Sequence, residues 1–500
     1  MASDRPTPPP ERPPHHGFGA TLTSAARVFA AEALVLPTGM ITAIYLTRRL
    51  GPADYGLFSL AATLTSWLAW FVGALYGRAT VKLISESVDP QPERSPAVAV
   101  MLRAYVLTGG GATLALLAGA DTLARLFGEP EMAPYLRLLA LEVVLFAVTM
   151  AHKEILVGLR RFRERAVCAA TRWITRMVLV IALVQSGMSV RGAALGSVLA
   201  TAAELAIARF YVRPTFVSTG APSTGIWRMA APLMGYSICI KLFQRIDLFA
   251  LKALGGSAEE AGFYGAAHNL SIALSLVTLS LAPLLLANLV RLRLAGDRET
   301  ARRLCEGSLR FALVLLPFAA AAAGASERLV PLLFGARFLP TAPLFSVLIF
   351  AEIAMVLGAI STSMIVAADR SRSVLAVSAA MLAAAVAGHT AVIPRFGPIG
   401  AAGVTTAVAI AGALAYAWLA ASLWQVRLPT ATLLRAAMLA AMAAAAASIP
   451  LGPPVWVIPQ LAVVAIAIFA AFVVGGELSK AEQARLLAIV RPHPHSRETL

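Results

Sequence analysis

The sequence predicts an all-α polytopic membrane protein of about 14 transmembrane helices. These fall into two pseudo-symmetric six-helix lobes, a parallel repeat, followed by a C-terminal helix pair. Three observations predict this. Hydrophobic residues make up 59% of the chain and charged residues 14%, with a mean hydropathy of +0.76. Soluble domains carry about 45–50% apolar and about 25% charged residues. Second, about fourteen runs reach the roughly 20 mostly apolar residues that cross a hydrocarbon core, and they lack the alternation of barrel strands. Third, landmarks recur at a nearly constant spacing. Gly56 and Gly262 are 206 positions apart, Leu126-Phe127-Gly128 and Leu333-Phe334-Gly335 are 207 apart, and Gly192-Ala193-Ala194 and Gly400-Ala401-Ala402 are 208 apart. Three pairs in order, drifting by one residue each, indicate an internal duplication.

Residues 1–17 are Pro-rich and polar and carry adjacent His15 and His16, the composition of a disordered cytoplasmic tail. The first apolar run after it is long enough to span, so no cleavable signal is expected. The N-terminal lobe covers 18–213, with spans near 28–46, 57–76, 98–118, 135–156, 167–184 and 192–211. A polar elbow at 48–61 joins its first two spans and returns at 254–267 in the second lobe. Residues 214–226, rich in Pro, Ser, Thr and Gly, read as an inter-lobe linker. The C-terminal lobe covers 227–424, with spans near 227–251, 263–290, 309–325, 342–366, 374–393 and 400–424. The extra pair occupies 425–476 and has no repeat partner, and 477–500 is a polar cytoplasmic tail. Six spans is an even number, so both copies enter from one face. Their axis then runs along the membrane normal, and a central cleft between two such bundles suits alternating access.

The formal net charge of +16 has a topological origin. With the N-terminus placed in the cytoplasm, roughly three quarters of the Lys and Arg fall in or beside cytoplasmic segments, a bias that puts both termini inside. Nucleic acid is therefore not an expected partner. Cys168, Cys239 and Cys305 are scattered, without disulfide or metal spacing. No phosphate-cradling Gly-Lys-Ser/Thr motif and no metal-spaced His, Cys or carboxylate cluster occurs, so no cofactor is expected. The longest non-spanning segments, about 15–20 residues, are too short for a soluble catalytic domain. A non-enzyme is expected.

Ionisable side chains inside spans cost about 2.5–3.5 kcal/mol each on insertion scales, and should face protein or a wet cavity. Span 7 is the densest, with Lys241, Gln244, Arg245 and Asp247. Lys241, Gln244 and Arg245 share a helix face. Lys241 and Arg245 suit an anionic head group as charge-assisted donors to phosphate oxygens, or else neutralise a glutamate on another helix. Glu142 and Glu352, mid-span and 210 positions apart, are candidate counter-ions to Lys241 and Arg245 or coupling carboxylates. Asp247 suits helix packing or coupling, and Glu32, in the inner part of span 1, is a further candidate coupling or counter-ion carboxylate. Arg27 and Arg228, at the starts of the two lobes, anchor the inner face or capture a lipid head group there. Glu204, His268 and His389 stand alone and read as packing residues.

The stretch Arg49-Leu50-Gly51-Pro52-Ala53-Asp54-Tyr55-Gly56-Leu57-Phe58-Ser59-Leu60-Ala61 resembles the signature of polysaccharide-biosynthesis flippases. These form the Wzx-type branch of the multidrug/oligosaccharidyl-lipid/polysaccharide exporter superfamily. Gln244-Arg245-Ile246-Asp247-Leu248-Phe249, the second elbow, Leu333-Phe334-Gly335-Ala336-Arg337-Phe338, and Phe396-Gly397-Pro398-Ile399-Gly400 fit the same pattern, over about 24–424. The resemblance implies a V-shaped pair of lobes that flips an undecaprenyl-pyrophosphate-linked oligosaccharide across the bacterial inner membrane. It further implies a cationic cavity, served by Lys241 and Arg245, and ion coupling through Glu142 or Glu352. Membrane lipid, the lipid-linked cargo, a polysaccharide polymerase and glycosyltransferases are the partners it suggests. Related lipid II flippases carry an arginine cluster, of which the first span here offers only Arg27. A drug/cation antiporter of the same superfamily and a non-transporting scaffold for polysaccharide assembly remain the alternatives.

Overall fold

The computed structural model describes residues 34–85, 91–214, 225–426 and 430–475. These residues form helices joined by short turns, with no strand among them. The first lobe contains α1 (Val35–Ser85), α2 (Pro96–Leu126), α3 (Ala133–Gly158), α4 (Phe162–Leu183) and α5 (Ser189–Tyr211). The second contains α6 (Gly225–Ala253), α7 (Ala258–Ser271), α8 (Leu276–Leu294), α9 (Arg298–Val314), α10 (Leu316–Gly324), the short α11 (Ser326–Phe334), α12 (Thr341–Ala367) and α13 (Ser371–Trp424). The extra pair is α14 (Thr430–Ser448) and α15 (Val457–Val474). Nine helical segments among the described residues are long and apolar enough to cross a membrane, and three of these, of 39, 50 and 54 residues, exceed what one crossing needs. About fourteen crossings are compatible with that set.

The long helices double back at glycines. In α13 the backbone breaks at Gly397, flanked by Pro394 and Pro398. Gly388 then faces Val404, Gly412 faces Met381, and the Tyr416 hydroxyl donates to the Val374 carbonyl at 3.1 Å. The pairings close symmetrically about Gly397, which makes the two halves antiparallel. The duplication is visible in the turns. Gly51 and Gly255 carry φ of 79° and 99°, and Gly128 and Gly335 carry 68° and 96°, a region closed to most side chains.

The two lobes meet at the duplicated elbow. A Cβ on Gly56 would overlap the Ala258 carbonyl oxygen, and one on Gly262 would overlap the Pro52 carbonyl oxygen. Pro52 and Ala258 are themselves 206 positions apart, so the contact is reciprocal about the axis relating the lobes. Around it each lobe reaches across to the other's Leu-Phe-Gly turn. Arg48 donates to the Leu333 carbonyl at 2.8 Å and to the Leu332 carbonyl at 2.5 Å. Lys252 donates to Glu129 at 2.6 Å, just past Gly128. Tyr55 and Phe263 both pack edge-on against Phe338, and Phe127 stacks on Phe249. One buried apolar cluster therefore belongs to both lobes, running from Leu46 and Tyr55 through Tyr264 to Phe334 and Phe345. On this face the lobes are closed against each other.

The extra pair stays outside this symmetry. It packs on α10 and α11, where a Cβ on Gly324 would overlap the Ala444 carbonyl oxygen. Arg328 donates to the Ala447 carbonyl and, at 2.9 Å, to Gln460. The linker 214–226 lies mostly outside the described residues, as do both tails.

Gly56→Val places a branched side chain against a main-chain carbonyl that cannot move aside. Overpacking of this kind costs about 1–3 kcal/mol. Here it is expected to relax by parting the lobes on the elbow face. Spin labels at Ala53 and Glu259 should show a longer-distance population in this variant than in the parent, and an unchanged distance distribution would contradict the close-contact account.

Candidate functional site

Below the elbow, a cavity of about 680 Å³ opens between the lobes. The first lobe lines it with α1 from Tyr55 to Trp70, with Glu142 and Phe146 of α3, and with Arg172, Trp173 and Arg176 of α4. The second lobe contributes Tyr236, Lys241, Gln244 and Arg245 of α6, His268 and Asn269 of α7, Glu352 of α12 and Tyr416 of α13. The helix period explains the choice. Lys241, Gln244 and Arg245 fall at i, i+3 and i+4, as do Arg172 and Arg176 at i and i+4, so each set presents one face. The Tyr55 hydroxyl accepts from the Asn269 amide at 2.8 Å, a polar bridge from lobe to lobe beside the closed face.

Four cations and two carboxylates line the cavity, a formal surplus of two positive charges with histidine neutral. The carboxylates are used differently. Glu142 accepts from Arg172 at 2.8 Å and from the Thr201 hydroxyl at 3.0 Å. Arg172 also lies 3.7 Å from Glu204, which pairs with Lys153 at 3.0 Å. Glu142, Arg172, Glu204 and Lys153 thus make a charge-balanced chain inside the first lobe. Glu352 makes no ion pair among the described residues. Lys241, Arg245 and Arg176 likewise have no carboxylate within ion-pair distance there. Lys241 instead lies over the Trp70 ring of the opposite lobe, 5.5 Å from its centroid, and Arg172 lies over Phe146 at 4.7 Å. Such cation–π contacts contribute about 0.5–2 kcal/mol, which leaves the Lys241 charge available to an anion, whereas Arg172 is already paired.

The structure brings Lys241, Arg245, Glu142 and Glu352 into one cavity. Glu142 is a counter-ion, but to Arg172 of its own lobe rather than to Lys241 or Arg245, because α3 packs against α4 and α5. Asp247 stands outside the cavity lining. Its carboxylate accepts from the Tyr264 hydroxyl at 2.7 Å, the Thr405 hydroxyl at 3.1 Å and its neighbour's amide at 2.7 Å, pinning α6 to α7 and α13. Glu204, expected to stand alone, is a fully buried member of the ionic chain, and His268 faces the cavity. Arg27 and Glu32 lie outside the described residues. Arg228 falls within α6, with its side chain outside them. Arg172 and Arg176 were missed by the sequence reading, although the rule that singled out span 7 applies equally to a guanidinium pair inside span 5. Among the described residues no group of three or more His, Cys, Asp or Glu could hold a metal ion.

Two helical lobes folded about a charge-bearing central cavity define a multi-pass membrane protein. A family model described as polysaccharide biosynthesis protein matches residues 25–284, just over half of the chain, and the protein belongs to that family. The solved structure of the lipid II flippase MurJ in an inward-closed conformation superposes with a TM-score of 0.71 at 13% identity, covering 90% of this chain and 98% of MurJ. An inward-facing multidrug-resistance MATE transporter gives a TM-score of 0.62 at 17% identity, covering 82% of this chain and 95% of that one. A transporter from Pyrococcus furiosus, whose reversed binding-pocket polarity is taken to suggest a different function, gives 0.54 at 16%, covering 85% of this chain and 96% of that one. Likeness at these identities is a likeness of fold. A comparison with curated protein sequences finds no match.

Removing one partner of a buried ion pair strands the other and typically costs about 3–5 kcal/mol. Lys153→Met should therefore lower the thermal unfolding temperature sharply. Lys153→Met combined with Glu204→Gln should recover part of the loss. Additive losses in the double variant would show that the pair is not coupled.

Proposed function

We propose that the protein is a flippase that carries an undecaprenyl-pyrophosphate-linked oligosaccharide from the inner to the outer leaflet of a bacterial inner membrane, for surface polysaccharide assembly. The observation that carries this reading is the convergence of Lys241 and Arg245 from one lobe with Arg176 from the other, none with an ion-pair partner among the described residues, on a cavity that has a single unpaired carboxylate. Unpaired cations at mid-membrane are tolerated where water and an anion reach them. A diphosphate offers the oxygens these donors need, and binding a charged head group in the cleft removes it from the hydrocarbon it could not cross alone. Membership of a polysaccharide-biosynthesis family points to saccharide as the remainder of the head group. The transport cycle is a rocking of the two lobes about their shared axis. The elbow face, closed here by the Gly56 and Gly262 contacts, becomes the outer gate, with both termini cytoplasmic. Arg27 and Arg228 would receive the head group at the inner mouth.

Glu352 is the proposed coupling carboxylate, since it faces the cavity from α12 without an ion-pair partner among the described residues. Asp247, hydrogen-bonded on three sides, is assigned to holding α6 in register. The surplus of positive charge argues against a carrier of cationic drugs. A scaffold for polymerase and glycosyltransferases would have no use for fixed charge in its interior.

Lys241→Ala with Arg245→Ala removes two charge-assisted donors, each contributing about 1.5–3 kcal/mol. Reconstituted in proteoliposomes, this variant should flip a polyprenyl-diphosphate oligosaccharide at least about ten-fold more slowly than the parent. In cells the lipid-linked unit should accumulate on the cytoplasmic leaflet. Flipping at the parental rate would refute the proposal, as would loss of assembly with transport intact. Glu352→Gln should keep cargo binding while flipping loses its response to an imposed ion gradient, and a response equal to that of the parent removes Glu352 from the coupling role.

A further inference from the structure

Among the described residues three tryptophans line the cavity, and all three come from the first lobe: Trp67 and Trp70 on α1 and Trp173 on α4. Tryptophan in membrane proteins favours the two interfaces, where its N–H meets water, and a buried indole usually finds an acceptor. Trp424 obeys that rule, donating to the Met364 carbonyl at 3.0 Å. The three cavity tryptophans donate to nothing among the described residues, and their half-buried rings open on the cavity.

The hydroxyls beside them behave in the same way. Serine and threonine in these helices usually donate to a carbonyl one turn back, as Thr42 does to Thr38, Ser197 to Ala193 and Ser271 to Ala267. Thr63 and Ser66 line the cavity and make no such bond, nor any other among the described residues. Thr63, Ser66, Trp67 and Trp70 fall at i, i+3, i+4 and i+7, so one face of α1 shows free hydroxyls and indoles together. Among its described residues the second lobe brings no tryptophan to the cavity; its aromatic lining is Tyr236 and Tyr416, and the Tyr416 hydroxyl is already committed to the Val374 carbonyl.

Flat aromatic faces with uncharged donors at their edges complement a pyranose, which has C–H-rich faces and a rim of hydroxyls. Phosphate does not call for indoles, and a hydrocarbon tail does not call for N–H and O–H donors. We propose that Thr63, Ser66, Trp67, Trp70 and Trp173 form a saccharide-binding face on the first lobe, against which the sugar rings of the cargo stack while the cavity cations hold its phosphates. This rests on the flippase reading above and adds which lobe grips the sugars. Lys241 over the Trp70 ring places a phosphate ligand directly beside that face.

The test is a binding comparison on the purified full chain in lipid nanodiscs, with farnesyl diphosphate and with the same diphosphate bearing one N-acetylglucosamine. The sugar should tighten binding about ten-fold in the parent. Trp67→Leu, which touches none of the cavity cations, should bring that advantage to within about three-fold while bare diphosphate binds as before, which also reports that the variant is folded. Should that variant bind neither probe, the gentler Thr63→Val with Ser66→Ala decides, and it should lose about three-fold of the advantage. No advantage in the parent, or an undiminished one in the readable variant, overturns the saccharide face and leaves the phosphate site standing. Failure of both probes to bind the parent, or undiminished binding of both to Lys241→Ala with Arg245→Ala, overturns the flippase reading itself.

Discussion

A charge inside a bilayer must meet an opposite charge, a strong hydrogen-bonding partner or water, and most of this structure follows from how its buried charges meet that demand. The first lobe answers with pairing: Lys153, Glu204, Arg172 and Glu142 neutralise one another across three helices. Asp247 answers with neutral donors, taking hydrogen bonds from a tyrosine, a threonine and the backbone. Arg176, Lys241 and Arg245 are answered by neither and stand at the wall of the cavity. Unpaired positive charge therefore collects where the lobes face each other, and the cavity takes its chemical character from that residue of the balance.

The same axis that creates the cavity also closes it. Contacts across a pseudo-two-fold axis come in reciprocal pairs, i to j and j to i, and Gly56 with Gly262 supplies the smallest side chain at the tightest point. Because each glycine meets a carbonyl of the other copy's elbow, the contact is one of backbone on backbone. Arg48 and Lys252 flank it, each reaching to the opposite Leu-Phe-Gly turn. Few polar bonds and a shared apolar cluster hold this seam.

Much of this was legible in the sequence because it is written locally. Hydropathy marks the crossings, and the elbows, Leu-Phe-Gly turns and Gly-Ala-Ala starts mark the repeat. Lys241 and Arg245 are visible as charges in an apolar run, and Arg172 with Arg176 satisfy the same criterion. Partner choice was not legible. Glu142 is 30 positions from Arg172 and 59 from Thr201, and nothing in the spacing says that α3, α4 and α5 pack together. The free hydroxyls of Thr63 and Ser66 were equally hidden, since a serine in a helix bonds back to the turn behind it unless its surroundings offer something else.

The sequence by itself determined the helical membrane class, the doubled unit and the presence of costly charge in the spans, because each depends on residue type and on the helical period along one stretch of chain. Only the tertiary structure decided which charges cancel, which remain open and which lobe carries the indoles to the cavity wall. Those outcomes depend on distances between helices far apart in the chain, and in a medium of low dielectric a few ångströms separate a neutralised pair from an unpaired charge.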